Sequence, residues 1–323
     1  MRLIPGCGPI KILGDPHLGR TFTEGVPLHR RGEREEAVWA DFTKSLFDVD
    51  GCDFHVMMGD LFNKFTVPAR IVLDTADAYL KAAKENPTVD YVVLMGNHDQ
   101  VRDADKRSSF DIFRALVKSQ GNIYVVSEEP LQLYNHLFVP WSPWATAEEM
   151  VADVDPGPGK FDAIFGHWDI KSFGGEDSNL CPYEKLSKLT DLIVTGHIHI
   201  PEEFTTPFGT RVVVTGSMQP YSHGEDPDGK LYVTLRQDEI DDAGDLKNKC
   251  VRILLQPGEE METEIDCLQL TYKRVKEKED EDVGEVEIEN FDFKGLFEIV
   301  MAHAGVDPSV IQKVWGEYDA QRA

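Results

Sequence analysis

The sequence has no long hydrophobic run, and its apolar stretches are interrupted well before the roughly 20 residues that a transmembrane helix needs. Pro5, Gly6, Gly8 and Pro9 break up the N-terminus, so it offers no apolar core of a signal peptide. These absences argue against a membrane protein and a secreted one. We predict a cytoplasmic protein with no membrane partner.

Cysteine is also scarce. The chain of 323 residues has 5 cysteines, and no two of them form a C-x-x-C pair. An odd number of scattered cysteines argues against both a disulfide framework and a zinc ribbon. We interpret them as reduced structural thiols, in keeping with the cytoplasm.

Basic residues are few: 33 Lys and Arg face 58 Asp and Glu, which gives a net charge of −25. A protein that binds DNA alone usually presents a basic face, because phosphate neutralisation dominates its affinity. Here the acid is concentrated in residues 277–289, whereas basic residues follow the first three motifs described below. Singly, these basic residues are typical of solvated loops and helix ends. Together they indicate a phosphate-facing rim, formed by Arg20, Arg30, Arg31, Arg34, Lys64, Arg70, Arg102, Lys106 and Arg107.

Five short apolar runs are present, and each ends in a glycine that is followed by possible metal ligands. Short runs rich in Val and Ile are typical of buried strands. Ligands of open α/β sheets gather beyond the carboxyl ends of the strands. We therefore expect two Asp, one Asn and four His at one edge of one sheet, the ligand set of a two-metal hydrolase. They are Asp15, His17, Asp60, Asn97, His167, His197 and His199.

The spacing of elements predicts an α/β fold. Helices expected at 33–47, 68–84 and 108–118 alternate with strands, which favours βαβ units and parallel pairing. Beyond Val126 the strands come closer together and predict a second sheet packed on the first. They are expected at 131–134, 136–139, 163–165, 192–195, 211–215 and 231–235.

Composition divides the chain into four parts: a main domain at 1–240, a small β unit at 241–275, an acidic linker at 276–290 and a helical tail at 291–323. The tail carries apolar residues at helical spacing, among them Phe293, Leu296 and Trp315. An amphipathic helix after an acidic linker is typical of an element that docks on a partner. The alternative is that the tail folds back on its own core.

The ligand types limit the metal. Carboxylate, amide and imidazole groups without thiolate suit Mn²⁺, Fe or Zn²⁺. Two metals roughly 3.5–4 Å apart need a bridging ligand, and a carboxylate suits that position. Singly, an Asp after a strand is usually a turn former or helix cap, and a buried His is usually a hydrogen-bonded core residue. Five such motifs in order favour the metal centre.

The series GDPH, GD, GNHD, GH and GHIH across residues 14–199 resembles the signature of the calcineurin-like metallophosphoesterases. The resemblance implies two packed β-sheets flanked by helices, a four-layer fold. It also implies that His98 stabilises the phosphate and protonates the leaving oxygen, with Asp99 orienting His98. The implied ligands are Asp15, His17 and His199 for one metal, Asn97, His167 and His197 for the other, and Asp60 as the bridge.

Four segments resemble the nuclease branch of that family, the SbcD-type enzymes and their phage counterparts, which pair with an SMC-like ATPase. They are GDLF at 59–62, VPW at 139–141, GHWDI at 166–170 and TGSMQP at 215–220. This resemblance implies a DNA exonuclease or endonuclease acting in recombination, repair or replication, in the host cytoplasm if phage-encoded. The expected metals are two Mn²⁺, with Mg²⁺ or Zn²⁺ as alternatives. The expected assembly is a homodimer within a heterotetramer, with the ATPase docked on the tail.

One position departs from the branch. Asn63 stands where many members have His, which leaves the balance of exonuclease and endonuclease action open. Two alternatives remain: a small-molecule phosphodiesterase or phosphatase of the same fold, and a non-catalytic scaffold without metals. The scaffold is disfavoured because every expected ligand is present.

Overall fold

The computed structural model describes the backbone of Arg2 and Leu3, then residues 9–101, 103, 106–171, 177–260 and 265–275, and positions 307, 310 and 313. The chain divides into two compact units, Met1–Val275 and Lys276–Ala323. The predicted linker and tail therefore lie outside the described residues, apart from three isolated positions. In the described part of the chain, no helix has the length and apolarity that crossing a bilayer requires.

The first sheet has five strands in chain order, with β1 antiparallel and the others parallel. Its strands are β1 (Arg2–Leu3), β2 (Ile10–Leu13), β3 (Phe54–Met57), β4 (Asp90–Leu94) and β5 (Ile123–Val126). The helices between them are α1 (Glu33–Phe47), α2 (Ala69–Glu85) and α3 (Ser109–Val117), close to the predicted ranges. Leu13 pairs with Met57, and Met57 pairs with Val93, so β2, β3 and β4 end nearly level.

Each helix covers the first sheet with an apolar face. In α1 the buried Val38, Phe42 and Leu46 follow one another at intervals of four residues, which places them on one side of the helix. α3 begins with a capping box in which the side chains of Ser108 and Asp111 accept each other's backbone N–H groups. Local sequence and burial thus favour the same helices.

The second sheet has six strands in the order β10-β11-β9-β8-β7-β6. They are β6 (Leu131–Leu133), β7 (His136–Val139), β8 (Ala163–Gly166), β9 (Leu192–Thr195), β10 (Glu202–Thr205) and β11 (Arg211–Val214), with helices α4 (Ala147–Met150) and α5 (Tyr183–Leu189) alongside. Val56 and Leu94 of the first sheet share one buried cluster with Phe138, Phe165 and Val194 of the second. The sheets therefore pack face to face, which confirms the predicted architecture of packed sheets flanked by helices.

A third sheet corrects one prediction. Its three parallel strands are β12 (Tyr232–Arg236), β13 (Cys250–Leu255) and β14 (Gln269–Arg274). The strand expected at 231–235 therefore belongs here and not to the second sheet, because the buried Asp226 carboxylate accepts the N–H groups of Leu231 and Tyr232 and holds the start of β12 beside β13. The small β unit predicted for 241–275 thus shares its sheet with residues 232–236.

The small sheet has its own core, and it touches the loop after β2. Val251, Ile253 and Cys267 form a separate buried cluster with Leu246 and Leu255. The N–H of Leu270 donates to the Gly25 carbonyl at 2.8 Å. A Cβ at Gly25 would lie 2.1 Å from the Leu270 carbonyl oxygen, so this close backbone approach requires glycine.

Candidate metal centre

Strand ends from two sheets, and not from one as predicted, bring the candidate ligands together. Asp15, Asp60 and Asn97 follow β2, β3 and β4 of the first sheet, whereas His167 and His197 follow β8 and β9 of the second. The sequence shows that a strand is present but carries no mark of the sheet it joins. Face-to-face packing of the two sheets aligns their carboxyl ends, so one group of ligands still forms.

One half of the group consists of Asp15, His17 and His199. Their possible ligand atoms all lie within 4.8 Å of one another. His17 Nε2 and His199 Nε2 are 3.0 Å apart, and His199 Nε2 is 3.8 Å from Asp15 Oδ2. Asp15 and His17 are almost completely buried. The structure thus brings together the three residues that the resemblance assigns to one metal.

The other half consists of Asp60, His167, His197 and Asn97. The ligand atoms of the first three lie within 4.8 Å of one another. Asn97 Oδ1 is 3.0 Å from His167 Nε2 and 2.9 Å from His197 Nδ1. The amide oxygen of Asn97 therefore lies beside both imidazoles, which are the residues that the resemblance assigns with it to the other metal.

Asp60 lies between the two halves. Its Oδ2 is 3.7 Å from His17 Nε2, and its Oδ1 is 3.5 Å from His167 Nε2. Its backbone has φ +52°, and Oδ1 accepts the N–H of His98 at 2.9 Å. One oxygen thus faces each half, which is the geometry that a bridging carboxylate needs.

The electrostatics of the site fit a bound cation. Burial, reinforced by Asp60, raises the pKa of Asp15 well above its usual value, and burial lowers the pKa of His17 to about 3. Burial also raises the pKa of Asp60, but the imidazoles of His167, His17 and His98 outweigh it, so the net direction is down. Burial thus disfavours the charged forms of Asp15 and His17, and a cation held between them would stabilise the ionised Asp15 carboxylate beside the neutral His17 imidazole.

A buried oxygen without a hydrogen-bond partner also indicates a bound cation. Asp15 Oδ1 is buried and has no hydrogen-bond partner among the described residues. A buried acceptor without a partner is costly. His17 Nε2 faces His199 Nε2 at 3.0 Å, and His197 Nδ1 faces His167 Nε2 at 3.3 Å. The two nitrogens of each pair present lone pairs to the space between them. The oxygen and nitrogen donors present therefore suit two borderline divalent cations.

Partners on the far side of three imidazoles fix their orientation. His167 Nδ1 donates to the Met58 carbonyl at 2.9 Å, and His197 Nε2 donates to Asp169 Oδ1 at 2.9 Å. His199 Nδ1 lies 3.1 Å from Glu225 Oε2. Such outer contacts set the tautomer and the ring angle of metal-binding histidines. In each ring the nitrogen that faces the centre is thereby left as the acceptor.

The sequence pattern did not identify Asp169 and Glu225 as partners of the metal-site histidines. Asp169 stands two residues after His167, and that short spacing behind a strand-end histidine is the one signal that could have found it. Glu225 lies in a polar turn and has no local signature. Its position next to His199 arises only from the fold.

His98 lies at the rim, with 43% of its side chain exposed. Its Nδ1 donates to the Asn63 carbonyl at 2.8 Å, and its Nε2 is 3.9 Å from Asp60 Oδ2. The free Nε2 can therefore reach a group bound at the centre. Asn63 takes part through its backbone oxygen.

The contacts of Asp99 differ from the expectation that it orients His98. The Asp99 carboxylate is buried and accepts the backbone N–H groups of Leu61, Phe62 and Gly96 at 3.1, 2.9 and 3.0 Å. Burial, reinforced by Asp60, raises its pKa. Asp99 thus ties the loop after β3 to the loop after β4, and the Asn63 carbonyl holds the His98 ring.

Two cavities open from the centre and share Asn97. One, of about 710 Å³, includes Asn97, His197, Asp169, Trp141 and Trp144 in its lining. The other, of about 580 Å³, is lined by Arg20, Thr21, Asn63, Lys64, Phe65, Asn97, His98, Gln100 and Val101. Two separate cavities therefore reach Asn97, one of them also reaching His197 and the other His98.

Not all of the basic residues predicted to form a phosphate-facing rim lie beside the centre. Arg20 and Lys64 line the second cavity, but Arg30 and Arg34 are buried. Arg30 pairs with Glu33, and Arg34 donates to the Gln219 side chain at 2.8 Å. Arg30 and Arg34 therefore make contacts that stabilise the fold. Arg102 lies outside the described residues.

Comparisons with known proteins identify a family for this chain. No curated protein matches the chain. Two solved structures with low similarity are a dimetal phosphatase from Danio rerio (12% identity, 65% of this chain and 87% of that one, TM-score 0.33) and the nuclease MPE of Pseudomonas putida (14% identity, 68% and 83%, TM-score 0.28). The calcineurin-like phosphoesterase family matches residues 8–201, a range that contains both halves of the centre. The chain therefore belongs to the calcineurin-like phosphoesterases, hydrolases that bind two divalent metals.

Proposed function

We propose that this phosphoesterase is a Mn²⁺-dependent DNA nuclease subunit that hydrolyses phosphodiester bonds in recombination, repair or replication. The observation that carries the proposal is the pair of cavities, about 710 and 580 Å³, that share Asn97 in their linings. A phosphodiester in a polymer continues on both sides of the reacting phosphorus, so its site must be open in two directions. A site for a small monoester needs only one opening.

The sequence supports the same substrate. The segments at 59–62, 139–141, 166–170 and 215–220 resemble the SbcD-type nucleases. Arg20 and Lys64 line the cavity beside His98, where they can bind the phosphates that flank the reacting one. The net charge of −25 remains the observation that favours a small-molecule phosphodiesterase. An ATPase partner that supplies further DNA contacts would account for it.

In this proposal Asp15, His17 and His199 would hold one metal, Asn97, His167 and His197 would hold the other, and Asp60 would serve as the bridging ligand. Bound divalent ions supply Lewis-acid stabilisation of the phosphoryl oxygens and lower the pKa of a bound water. His98 delivers a proton from Nε2 to the leaving oxygen, while the Asn63 carbonyl keeps its ring in place. Asp99 keeps the loops that carry Asp60 and His98 in register.

The test is cleavage of labelled single- and double-stranded DNA in Mn²⁺ or Mg²⁺, with Asp60→Ala as the matched variant. We expect Mn²⁺-dependent cleavage by the wild type and none by Asp60→Ala, since removal of the bridging carboxylate leaves two cations to repel each other. Circular dichroism would verify that the variant folds. Cleavage of bis-nitrophenyl phosphate without any cleavage of DNA would favour the small-molecule alternative, and wild-type activity in Asp60→Ala would exclude the two-metal site.

A further inference from the structure

The 710 Å³ cavity carries an exposed tryptophan next to the metal centre. Trp144 is 56% exposed and shares the lining of this cavity with Asn97 and His197. Trp141, in the same lining, is half-buried, and its backbone N–H donates to the Met95 carbonyl at 3.0 Å. The loop that bears both indoles is thus anchored directly to the segment that leads into Gly96 and Asn97.

Local hydrogen bonds hold the position of Trp144. The Ser142 hydroxyl accepts the N–H of Trp144 at 3.2 Å and that of Ala145 at 3.1 Å. The next residues form a capping box between Thr146 and Glu149. Hydrogen bonds therefore hold the backbone on which the exposed indole of Trp144 is carried.

The two cavities differ in the charge of the side chains that line them. Among the described residues that line the 710 Å³ cavity there is no Lys or Arg, whereas Glu149 and Asp169 are present. The 580 Å³ cavity has Arg20 and Lys64 and no described acidic side chain in its lining. Phosphates are therefore favoured beside His98, and an uncharged planar group is favoured beside Trp144.

We propose that the Trp144 cavity binds the nucleobase adjacent to the cleaved phosphate, stacked on the indole; this rests on the proposed nuclease function. Stacking on an aromatic side chain is tolerant of sequence, because every base has a π-face. A base can offer that face only when it is unstacked from its neighbour. The site therefore selects substrates with an unpaired nucleotide next to the reacting bond, such as single strands and frayed or overhanging ends.

The test uses the full-length protein in three variants. Trp144→Ala removes the stacking surface, Trp144→Phe keeps a smaller one, and Phe208→Ala is the matched control, because Phe208 is 54% exposed and is absent from the lining of both cavities. Each variant is assayed in Mn²⁺ on a single-stranded oligonucleotide and on the same oligonucleotide with abasic residues.

We expect Trp144→Ala to raise KM on the normal oligonucleotide roughly 5- to 150-fold, the equivalent of about 1–3 kcal/mol of stacking. Trp144→Phe should restore part of this loss, and Phe208→Ala should match the wild type. On the abasic oligonucleotide, Trp144→Ala and the wild type should have the same KM. Equal KM values on the normal oligonucleotide, or equal losses on both, would refute the base site while leaving the nuclease function intact.

A second readout does not depend on cleavage. Stacking of a base on Trp144 should quench tryptophan fluorescence when a short oligothymidine is added in EDTA, and Trp144→Phe should abolish that quenching. If the wild type cleaves no DNA, the nuclease proposal fails, but this titration still decides the base site. Quenching that is unchanged in Trp144→Phe would overturn it.

Discussion

At the scale of single residues, His98 differs from the histidines that face the two metal positions. Its side chain is 43% exposed, against 22% for His197 and for His199. Its Nδ1 donates to the Asn63 carbonyl, and its Nε2 is directed to the centre. Replacement by Asn should therefore reduce cleavage by roughly 10²–10⁴-fold, as is usual for a lost general acid. Metal content, measured by elemental analysis, should stay unchanged.

The converse result would reassign the residue. If the His98→Asn protein loses a metal along with its activity, His98 is a ligand, and the sets at Asp15 and Asn97 must be redrawn. DNA binding in the same variant separates the two cases further, because loss of a proton donor leaves affinity intact.

Asp169 acts through His197, so it is a positioning residue. Its carboxylate holds the His197 Nε2–H at 2.9 Å and leaves Nδ1 to face Asn97. We expect Asp169→Ala to lower metal affinity about 10- to 100-fold, the usual effect of losing such an outer partner. Asp169→Asn should lose less, since its amide oxygen can still accept the bond.

Titration calorimetry with Mn²⁺ measures this effect. Asp191→Ala is the matched control, because Asp191 is 83% exposed and pairs with Lys160 away from the centre. Equal Mn²⁺ affinity in Asp169→Ala and Asp191→Ala would show that Asp169 has only a structural role.

The candidate ligands could be predicted from the sequence because each follows a glycine at the end of a strand. The partners of those ligands could not. Glu225 is 26 residues beyond His199 in the chain, and only the turn at 221–225 brings its carboxylate to the ring. Asp99 is expected to orient His98, its neighbour in sequence, whereas its carboxylate accepts the N–H groups of Leu61 and Phe62, which are distant in sequence.

At the scale of elements, β2 ends against the backbone of the turn that follows β11. A Cβ at Gly14 would lie 1.8 Å from the Gly216 carbonyl oxygen. Gly14→Ala should therefore destabilise the protein by about 1–3 kcal/mol or more, since backbone has to move to remove the overlap. Because Asp15 is the next residue, affinity for Mn²⁺ should fall as well.

Gly121→Ala is the matched control for this prediction. Gly121 has no heavy atom within 4 Å of its Cβ position, and its φ is outside the left-handed region. Urea unfolding of the two variants should show a loss for Gly14→Ala alone. Equal stabilities of the two variants would contradict the close approach of Gly14 to the Gly216 carbonyl.

Most helices and strands were predicted from local pattern, but the partners of the strands were not. The segment at 231–235 has the same apolar alternation whether it extends the second sheet or begins a third. Its position is decided by the Asp226 carboxylate, which accepts the N–H groups at the start of β12, and by pairing of Tyr232 with Cys250. Contacts of that kind join residues distant in sequence, so the strand pattern does not record them.

At the scale of the whole molecule, all candidate ligands lie within the first compact unit, Met1–Val275. We propose that the tail docks on an ATPase partner. A protein truncated before Phe291 should then keep its melting temperature and its Mn²⁺-dependent activity, and should lose co-purification with that ATPase. The reason for this expectation is that an amphipathic sequence after an acidic linker is typical of an element that docks in the groove of a partner. Differential scanning fluorimetry and a pull-down measure the two effects.

Folding back of the tail predicts the opposite pattern. Each large apolar side chain that the tail buried on its own core would contribute roughly 1.5–3 kcal/mol, so truncation would then lower the melting temperature markedly. A truncated protein that melts much lower and still captures the ATPase would refute the docking proposal.

The origin of the ligands in two sheets has a consequence for local opening of the protein. Asp15, Asp60 and Asn97 belong to one sheet and His167 and His197 to the other, so any fluctuation that separates the sheets releases bound metal. Metal binding is then linked to the state in which both sheets are packed, and not to either one alone. Amide hydrogen exchange in β3 and in β9 should consequently slow together when Mn²⁺ is added, which makes the two sheets a single cooperative unit in the loaded enzyme.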